Sequence, residues 1–484
     1  MRESEHASTQ PVETAQGSGD PPNPVFQAQQ RAFRNNPMPG SRERIRNLNR
    51  LKQAILASRD EIVDALNADY SCRSTDETLL GEILPSVEAV AFAARHVKAW
   101  MKPVRRTPGL LFQPAAARIL YQPLGVVGII TPWNYPLFLS MGPLAGVLAA
   151  GNRAMIRMSR TTPATAGVVA RMIAKTFDPD LVWVAEGGDA PGSEFARKPW
   201  DHLVFTGSTT VGRHVMRAAA DNLTPVTLEL GGKSPAIIGP DAPMDRTAQS
   251  IAFGKLFNAG QTCVAPDYVL CPEGRVDDFI SRFETHVRNM YPAMTENPQY
   301  TAIIDGSQFS RLTALVQDAR DQGARIMTIN PAGESFEHTR KLPVHLLLNV
   351  NPDMAVLKEE IFGPLLPIIP YGSLDEAVAW VNDRPRPLAL YYFDTNRKNT
   401  DAVIARTRSG GVVINDTLVH VAQDDLPFGG IGESGMGQYH AREGFLAFSK
   451  ARPVLFKTRF NSGPLVYPPY GRRIHRWLYR LFLG

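Results

Sequence analysis

Apolar residues recur at three- and four-residue spacing through the first hundred residues, which is the pattern of amphipathic helices. Leu51 and Ile55 keep this spacing with polar residues around them, and a second run from Leu79 to Trp100 continues it. Pro103 is expected to end the second run, because proline lacks the amide hydrogen that a helix interior needs. The pattern therefore predicts mostly helical structure from Val25 to about Lys102.

From Gly125 onward, short apolar runs alternate with stretches of helical period. Repeated strand–helix units of this length place parallel strands side by side with helices on the faces, so the pattern predicts a doubly wound parallel sheet in an α/β protein. The predicted strands are 126–130, 154–158, 181–184, 203–205 and 225–230, and the predicted helices are 137–150, 165–177 and 211–220.

Residues 234–412 repeat this alternation of short apolar runs and stretches of helical period, and they predict a second α/β domain. Before the first sheet, residues 110–124 carry β-branched and aromatic residues around Pro114 and predict a hairpin of extended segments. In the second domain the predicted strands are 236–238, 268–270, 366–369 and 411–414, and the predicted helices are 248–257, 276–290, 307–322 and 374–382.

Composition is that of a soluble globular protein of two or three domains. Of the 484 residues, 44% are hydrophobic and 20% are charged. The formal net charge is +5, but several arginines fall between Arg472 and Gly484, which argues against a nucleic-acid-binding surface spread over the protein. The most apolar long stretch, Leu137 to Ala150, is too short to span a bilayer and predicts a buried helix.

Cysteine use and the N-terminal composition predict a cytoplasmic protein. Cys72, Cys263 and Cys271 form no disulfide framework, and no cluster of cysteine and histidine has metal-ligand spacing, so no metal is expected. A small, odd number of cysteines suits a reducing compartment. Residues 1–24 are rich in Ser, Thr, Gln, Gly, Pro and Glu without an apolar block, which predicts a disordered tail and not a signal peptide.

The strongest candidate chemistry lies at Cys263, at the end of Phe257-Asn258-Ala259-Gly260-Gln261-Thr262-Cys263. A small, flexible, polar lead-in leaves room for a substrate and places backbone amides near the thiol. Glu229 lies upstream beside a second glycine-rich turn. A thiol nucleophile and a carboxylate base suggest covalent catalysis followed by hydrolysis. The alternative for any single cysteine is a small buried apolar residue.

Two segments rich in glycine are candidates for phosphate binding. In Phe205 to Arg213, Gly207 and Ser208 lie between a predicted strand and a predicted helix, where backbone N–H groups at a helix N-terminus can bind a phosphate. An ordinary strand–turn–helix corner is the equal alternative. The segment Gly430 to Gly435 matches GxGxxG by letter but lies outside a strand–helix–strand unit, so it is predicted to be a flexible loop.

Two further polar positions follow predicted strands or turns. Asn134, in Thr131 to Pro136, carries an amide that can donate to a developing oxyanion together with the N–H of Cys263; the alternative is a turn asparagine. Glu360 and Phe362 precede a glycine turn and offer a carboxylate for a ribose and a ring for a flat group. The alternative there is a solvated acidic turn.

Taken together, these segments resemble the aldehyde dehydrogenase superfamily in order and spacing, over roughly Ala28 to Lys457. The Cys263-Val264-Ala265-Pro266-Asp267-Tyr268 segment and the Tyr467-Pro468-Pro469-Tyr470-Gly471 tail are similar to the class 3 branch and, within it, to the coniferyl aldehyde dehydrogenase-like group. The matching segments are Thr131–Pro136, Phe205–Gly212, Glu229–Pro235, Gly260–Cys263, Glu360–Pro364, and Asn415 with Pro427–Gly437.

The resemblance implies a role for each candidate residue. It implies NAD or NADP as coenzyme, an aldehyde as substrate, and the order of thiolate attack, hydride transfer to the nicotinamide and thioester hydrolysis. The implied roles are Cys263 as nucleophile, Asn134 with the Cys263 N–H as oxyanion site, Glu229 as base, Gly207, Ser208 and Gly212 at the pyrophosphate with Trp133 lining that site, Glu360 at the nicotinamide ribose and Phe362 at the nicotinamide.

The resemblance also implies a division of the chain and a homodimer. The implied coenzyme-binding domain is 25–109 with 125–229, and the implied catalytic domain is 230–420. Residues 110–124 and 446–458 form the implied oligomerisation element, and 459–484 form a C-terminal tail.

One segment departs from the family pattern. The family usually has Lys and, three residues later, Glu at the adenosine ribose, whereas this chain has Arg157 and Arg160. Loss of the carboxylate removes repulsion toward a 2′-phosphate, and two guanidinium groups can bind one. The departure suggests appreciable use of NADP; the alternative is that Arg160 points to solvent and NAD use is unaffected.

The tail and the reaction class leave alternatives open. Residues 472–484 predict a short basic amphipathic helix that fits a membrane surface, and that fits a cap on the substrate entrance or a dimer contact at least as well. Glu229 favours hydrolysis over transfer of the acyl group to coenzyme A or phosphate, and the presence of Cys263, Glu229 and Asn134 argues against a non-catalytic protein. An aromatic aldehyde is the expected substrate, with medium- and long-chain aliphatic aldehydes as the alternative.

Overall fold

The computed structural model describes residues 24–185, 192–459 and 463–484. The tail predicted to be disordered at 1–24 lies outside these residues except for Pro24, which begins the first helix. The α-helices are α1 (Pro24–Asn35), α2 (Ser41–Ala57), α3 (Arg59–Tyr70), α4 (Thr75–Thr78), α5 (Leu84–Trp100), α6 (Phe138–Ala150), α7 (Pro163–Thr176), α8 (Gly192–Ala196), α9 (Thr209–Ala220), α10 (Met244–Leu256), α11 (Val276–Met290), α12 (Gly306–Asp321), α13 (Ala355–Lys358), α14 (Leu374–Asn382), α15 (Arg397–Arg406), α16 (Ala441–Ala447) and α17 (Arg473–Leu483).

The strands form three sheets. They are β1 (Val104–Arg106), β2 (Ala115–Pro123), β3 (Val126–Ile130), β4 (Arg153–Arg157), β5 (Val182–Ala185), β6 (His202–Gly207), β7 (Val226–Leu230), β8 (Pro235–Ile238), β9 (Tyr268–Pro272), β10 (Arg325–Ile329), β11 (Val344–Leu348), β12 (Leu365–Tyr371), β13 (Ala389–Phe393), β14 (Gly411–Ile414), β15 (Gly435–Met436) and β16 (Ser449–Lys457).

The first sheet has the order β15-β7-β6-β3-β4-β5, and all its strands except β15 run parallel. Alternate residues of β3 belong to different apolar clusters: Val127 and Ile129 to one, Val126 and Ile130 to the other. Because successive side chains of a strand point to opposite faces, both faces of this sheet are covered. The predicted doubly wound sheet is confirmed.

The second sheet has the order β10-β11-β12-β9-β8-β13-β14 and is parallel except for β10. It confirms the second α/β region, although β10, β11 and β13 had not been predicted. After β14 the chain returns to the first sheet, where Gly435 and Met436 pair with Glu229 and Leu228 of β7.

The third sheet is a small antiparallel one of order β1-β2-β16. The prediction of a hairpin within 110–124 was wrong: Leu110–Phe112 form a 3-10 turn, and β2 pairs with β1, which lies before that segment. The region 446–458 contains β16, preceded by the last turn of α16. Leu455 and Phe456 of β16 are exposed, and the homodimer expected at this sheet stays a prediction.

The C-terminal tail contains the helix that the sequence indicated. In α17 the apolar side chains of Trp477, Leu481 and Phe482 are exposed. No helix in the described part of the chain is long and apolar enough to cross a membrane. What α17 contacts, whether a membrane surface, a substrate entrance or a second copy, stays a prediction.

Candidate active site

A cavity of about 1430 Å³ opens at the carboxyl ends of β3, β6 and β7. In an open parallel sheet this edge is where ligands bind, because the loops that follow the strands converge there. The residues predicted from sequence that line it are Trp133, Asn134, Gly207, Ser208, Glu229, Cys263, Glu360 and Phe362. The fold therefore brings eight candidate residues from five separate segments into one space.

Cys263 follows a tight turn between α10 and β9. Asn258 and Ala259 have positive φ of 55° and 52°, and Gly260 has φ of 75°. A side chain on Gly260 would place its Cβ 2.5 Å from the carbonyl oxygen of Gly363, so only glycine fits. The thiol is partly buried, and burial, followed by the charges of Glu360 and Glu229, raises its pKa to about 12. A cationic group bound beside the sulfur would favour the thiolate.

Glu229 stands near the end of β7 with 2% of its surface exposed. Its strand pairs with β6 on one side and with β15 on the other, and the N–H of Leu230 donates to the carbonyl oxygen of Ser434 at 3.0 Å. Neither carboxyl oxygen has a hydrogen-bond partner among the described residues. Burial raises the pKa of Glu229 well above its ordinary value, so once ionised it is a stronger base than an exposed glutamate.

Asn134 follows β3 and turns its amide toward the loop that precedes Cys263. Its Nδ2 donates to the carbonyl oxygen of Gln261 at 3.2 Å. An amide nitrogen carries two hydrogens, so one remains for a ligand. This places a side-chain donor beside the cysteine loop, as an oxyanion site needs.

One side of the cavity combines a helix N-terminus with a buried carboxyl group. Ser208 is the N-cap of α9 and accepts from the N–H of Val211 at 3.4 Å, which leaves the first N–H groups of α9 for an anion. Glu360 Oε1 is buried without a partner in the described chain, and burial, followed by the charge of Asp267, raises the pKa of Glu360 to about 8. The rings of Trp133 and Phe362 meet edge to face at 5.3 Å.

These features fit a nicotinamide dinucleotide. An orphaned carboxyl oxygen suits a ribose hydroxyl, a free helix N-terminus suits a pyrophosphate, and an aromatic pair suits a flat ring. Gly231 leaves room for Glu360, because a Cβ there would collide with the Glu360 carboxyl group.

Three of the predicted residues do not line the cavity. Gly212 lies in α9 against β7, and a Cβ on it would come within 2.5 Å of Leu230 Cδ2, so its place is close helix–strand packing. Arg157 ends β4 half-buried, and burial, followed by the positive charge of Arg160, lowers its pKa. Arg160 is exposed. The two guanidinium groups are thus near enough to repel each other, at the end of a strand of the first sheet.

Sequence reasoning missed the residues that hold the Glu360 loop. Lys233 pairs with Asp267 and donates to the carbonyl oxygen of Val356 at 2.8 Å. Asp267 accepts from the N–H of Ile361 at 2.9 Å, and Arg311 donates to the carbonyl oxygen of Ile361 at 2.6 Å. Because these partners are far apart in sequence, only the fold shows that they meet.

The prediction of a flexible loop at Gly430 to Gly435 needs correction. The segment is not a strand–helix corner, as expected, but it is closely packed: a Cβ on Gly430 would collide with the Ser434 carbonyl group. Its last residue pairs with Glu229. The glycines are needed there for close approach of two backbones. Among the described residues, no group of three or more His, Cys, Asp or Glu side chains could hold a metal ion.

Comparison with known proteins identifies the family of this chain. The model of the aldehyde dehydrogenase family matches residues 12–454. The probable coniferyl aldehyde dehydrogenase of Pseudomonas aeruginosa is 54% identical over 459 residues, which cover 95% of this chain and 96% of that protein. Aldehyde dehydrogenase family 3 member A2 of Macaca fascicularis is 39% identical over 441 residues, or 90% of this chain and 89% of that protein. The substrate-bound structure of Staphylococcus aureus AldH superposes with a TM-score of 0.89 at 38% identity, covering 95% of this chain and 99% of that chain. The resemblance predicted from the motifs is confirmed, and the chain belongs to the aldehyde dehydrogenase family.

Proposed function

We propose that this oxidoreductase converts an aldehyde to a carboxylic acid with NAD or NADP, through a thioester on Cys263. The observation that carries the proposal is that Cys263, Glu229 and Asn134 line the same cavity as the orphaned Glu360 carboxyl oxygen. A nucleophile, a base, an amide donor and a ribose acceptor in one space are the parts that the reaction requires.

Cys263 and Asn134 act in the first half of the reaction. The Cys263 thiolate attacks the aldehyde carbon, and the carbonyl oxygen becomes an alkoxide. The free amide hydrogen of Asn134 and the backbone N–H of Cys263 donate to that oxygen where charge develops. When bound, the nicotinamide supplies the acceptor for the hydride, and Glu360, Phe362 and the N-terminus of α9 are the groups that would hold the coenzyme.

Glu229 acts in the second half. Its carboxylate takes a proton from a water molecule, whose oxygen attacks the thioester carbon. The carbon–sulfur bond breaks, the Cys263 thiolate leaves, and the carboxylic acid is released. The raised pKa of Glu229 supports this role, because an ionised carboxylate with a raised pKa takes a proton more readily than an exposed glutamate does. A buried base at this position also favours hydrolysis over transfer of the acyl group to coenzyme A.

The substrate that we propose is coniferyl aldehyde or a related aromatic aldehyde. The name of the Pseudomonas aeruginosa relative supports this choice. Aromatic side chains also surround the cysteine loop: Tyr135 is hydrogen-bonded to Thr262 Oγ1 at 2.7 Å and stacks on Phe257 with their centroids 6.4 Å apart. Phe138 packs in the same cluster. Flat rings packed beside the cysteine loop suit an aryl group.

Steady-state oxidation by the purified protein tests the function and the substrate together. With NAD or NADP, we expect a rise in reduced nicotinamide absorbance and a kcat/KM for coniferyl aldehyde at least about tenfold above that for a saturated aliphatic aldehyde of similar length. The reverse ranking would contradict the proposed aromatic substrate but would leave the proposed aldehyde dehydrogenase activity in place. No oxidation of either aldehyde would overturn the function.

We further propose that Arg157 and Arg160 allow appreciable use of NADP. The family pattern has a carboxylate where Arg160 stands, and two neighbouring guanidinium groups offer a 2′-phosphate the charge it requires. Arg160→Glu is expected to lower kcat/KM with NADP by about tenfold and to change that with NAD by less than about twofold. The control is Arg246→Glu, the same charge change at an exposed position of α10 outside the cavity lining. Equal losses with both coenzymes would contradict the assignment.

The oligomeric state of the protein stays a prediction. We propose a homodimer formed through the three-stranded sheet, on the exposed Leu455 and Phe456 of β16. A solution mass of one 53.3 kDa chain would contradict it.

A further inference from the structure

A buried arginine lies directly behind Asn134. Arg73 is 2% exposed, and its Nη1 donates to the main-chain carbonyl oxygen of Asn134 at 2.9 Å. Two more donors reach the same oxygen, the hydroxyl of Tyr70 at 3.2 Å and Nδ2 of Asn258 at 3.3 Å. The backbone of Asn134, which lines the cavity, is therefore fixed from three directions.

The charge of Arg73 is balanced by an equally buried carboxyl group. Glu82 lies 3.4 Å from Arg73 Nη1, and the side chains of both residues are wholly excluded from solvent. Glu82 Oε2 also accepts from the N–H of Phe138, the first residue of α6, at 2.7 Å. The guanidinium group lies over the rings of Tyr70 and Tyr135, 4.8 and 5.1 Å from their centroids. An ion pair buried at this depth contributes little net stability. Its position beside Asn134 therefore explains its presence better than its contribution to stability does.

The same helical segment also holds the loop that leads to Cys263. Glu77 Oε1 accepts from the N–H of Asn258 at 3.0 Å, and its Oε2 accepts from the hydroxyl of Thr301 at 2.6 Å. Asn258 is the first residue of the turn with positive φ. Its Nδ2 donates both to Asn134 O and to Gln261 O, at 3.3 and 3.2 Å. One side chain thus links the two halves of the oxyanion site.

A π-helical turn explains how both carboxyl groups face the site. Residues five apart in an α-helix point about 140° away from each other, because each residue turns the helix by about 100°. Leu79–Ile83 forms a π-helix between α4 and α5. Its wider turn absorbs an extra residue and brings Glu77 and Glu82 to the same side. Gly81, within this turn, allows close approach, since a Cβ there would lie 2.9 Å from the Phe257 ring.

We infer that Arg73 is a positioning residue for the oxyanion site: it fixes the Asn134 backbone, so that the Asn134 amide and the Cys263 N–H converge on one point, and Glu77 fixes the cysteine loop in the same way. The inference rests on the proposed function. It assigns to Arg73, Glu77 and Glu82 an effect on the rate of the first half-reaction, although none of the three lines the cavity.

A double-mutant cycle tests the inference. The variant Arg73→Met with Glu82→Gln removes both charges together and keeps an acceptor for Phe138. Single-turnover reduction of coenzyme, with enzyme in excess over aldehyde, is expected to slow by about thirtyfold, because a small misplacement of a donor loses much of its effect. In an Asn134→Ala background the same change is expected to slow it by less than about threefold. Equal slowing in both backgrounds would overturn the inference.

A matched control separates positioning from folding. Arg44 is another buried arginine, 1% exposed, that donates to the main-chain carbonyl oxygens of Pro39, Ala149 and Ala150 away from the cavity. Arg44→Met is expected to lower the melting temperature but to leave the single-turnover rate of folded enzyme within about twofold. Loss of rate in Arg44→Met as large as that in the Arg73 variant would contradict a specific role.

Milder variants keep the test decisive if the charge-free variant does not fold. Tyr70→Phe removes only one of the three donors to Asn134 and is expected to slow single turnover by about threefold or more. Glu77→Gln keeps one acceptor oxygen for the N–H of Asn258, and its amide nitrogen can donate to Thr301 Oγ1 in place of the present bond, so it should restore most of the rate lost in Glu77→Ala. Unchanged rates in Tyr70→Phe and Glu77→Ala would overturn the inference. If turnover survived Cys263→Ala, the proposed function would fail instead.

Discussion

Cys263→Ala is expected to reduce kcat for aldehyde oxidation by at least about a thousandfold, because the thioester needs a thiol and Cys263 is the one that lines the cavity among the described residues. The other two thiols do not line the cavity, so neither can replace it. The measurement is the rate of coenzyme reduction at saturating aldehyde. The variant should still bind coenzyme, since the groups assigned to the coenzyme are unchanged. Quenching of tryptophan fluorescence measures this binding.

Cys72→Ala is the matched control for this prediction. Cys72 is half-buried like Cys263, but its sulfur contacts the carbonyl oxygens of Pro298 and Tyr300. Its removal is expected to leave kcat within about twofold, as for most substitutions away from a site. Turnover that survived Cys263→Ala would remove the covalent mechanism, whatever the control shows.

Glu229→Gln is expected to separate the two halves of the reaction. The variant should still form the thioester, giving a rapid burst of about one reduced coenzyme per active site, and then turn over about a hundred- to ten-thousandfold more slowly, which is the usual effect of losing a general base. Stopped-flow absorbance measures both phases. The control is Glu433→Gln, a cavity residue whose carboxyl group pairs with Arg213 at the exposed rim.

The pH dependence gives the same prediction a second readout. The pKa of Glu229 is raised by burial, and the base is active only when ionised, so thioester hydrolysis should fall as pH drops through that raised pKa, above the range of an exposed glutamate. Glu229→Gln should lack this limb. Slow turnover without a burst would show that Glu229 is needed before the thioester forms and would contradict its assignment to hydrolysis.

Much of the first sheet is predictable because its strands are buried on both faces. The apolar run Val126–Ile130 is β3 at the predicted residues, and the predicted helix Val276–Met290 is α11 residue for residue. Glycine-rich loops after such strands mark the cavity, since strand ends converge at one edge. The local sequence thus contains most of the information about where Glu229 and Asn134 lie.

The unpredicted parts depend on contacts between distant segments. The segment Ala389–Phe393 becomes a wholly buried strand, β13, because β8 and β14 flank it, and nothing local separates this run from a helix or a loop. Arg73 and Glu82 lie in a stretch of helical period, where charged residues ordinarily face water. Their partners are Asn134 and Phe138, more than fifty residues away in the chain.

The short strand β15 has a consequence for the folding of the enzyme during its synthesis. Glu229 lies on β7, whose outer edge pairs with Gly435 and Met436 in the described part of the chain, and the N–H of the neighbouring Leu230 donates to the carbonyl oxygen of Ser434. Because the ribosome synthesises the chain from its N-terminus, Glu229 and Cys263 both emerge well before residues 434–436, which hold β7 and with it Glu229. A nascent or prematurely terminated chain that stops short of residue 434 therefore carries the thiol without a properly positioned base for releasing its acyl group, and the chain becomes competent for hydrolysis only after residues 434–436 have been added.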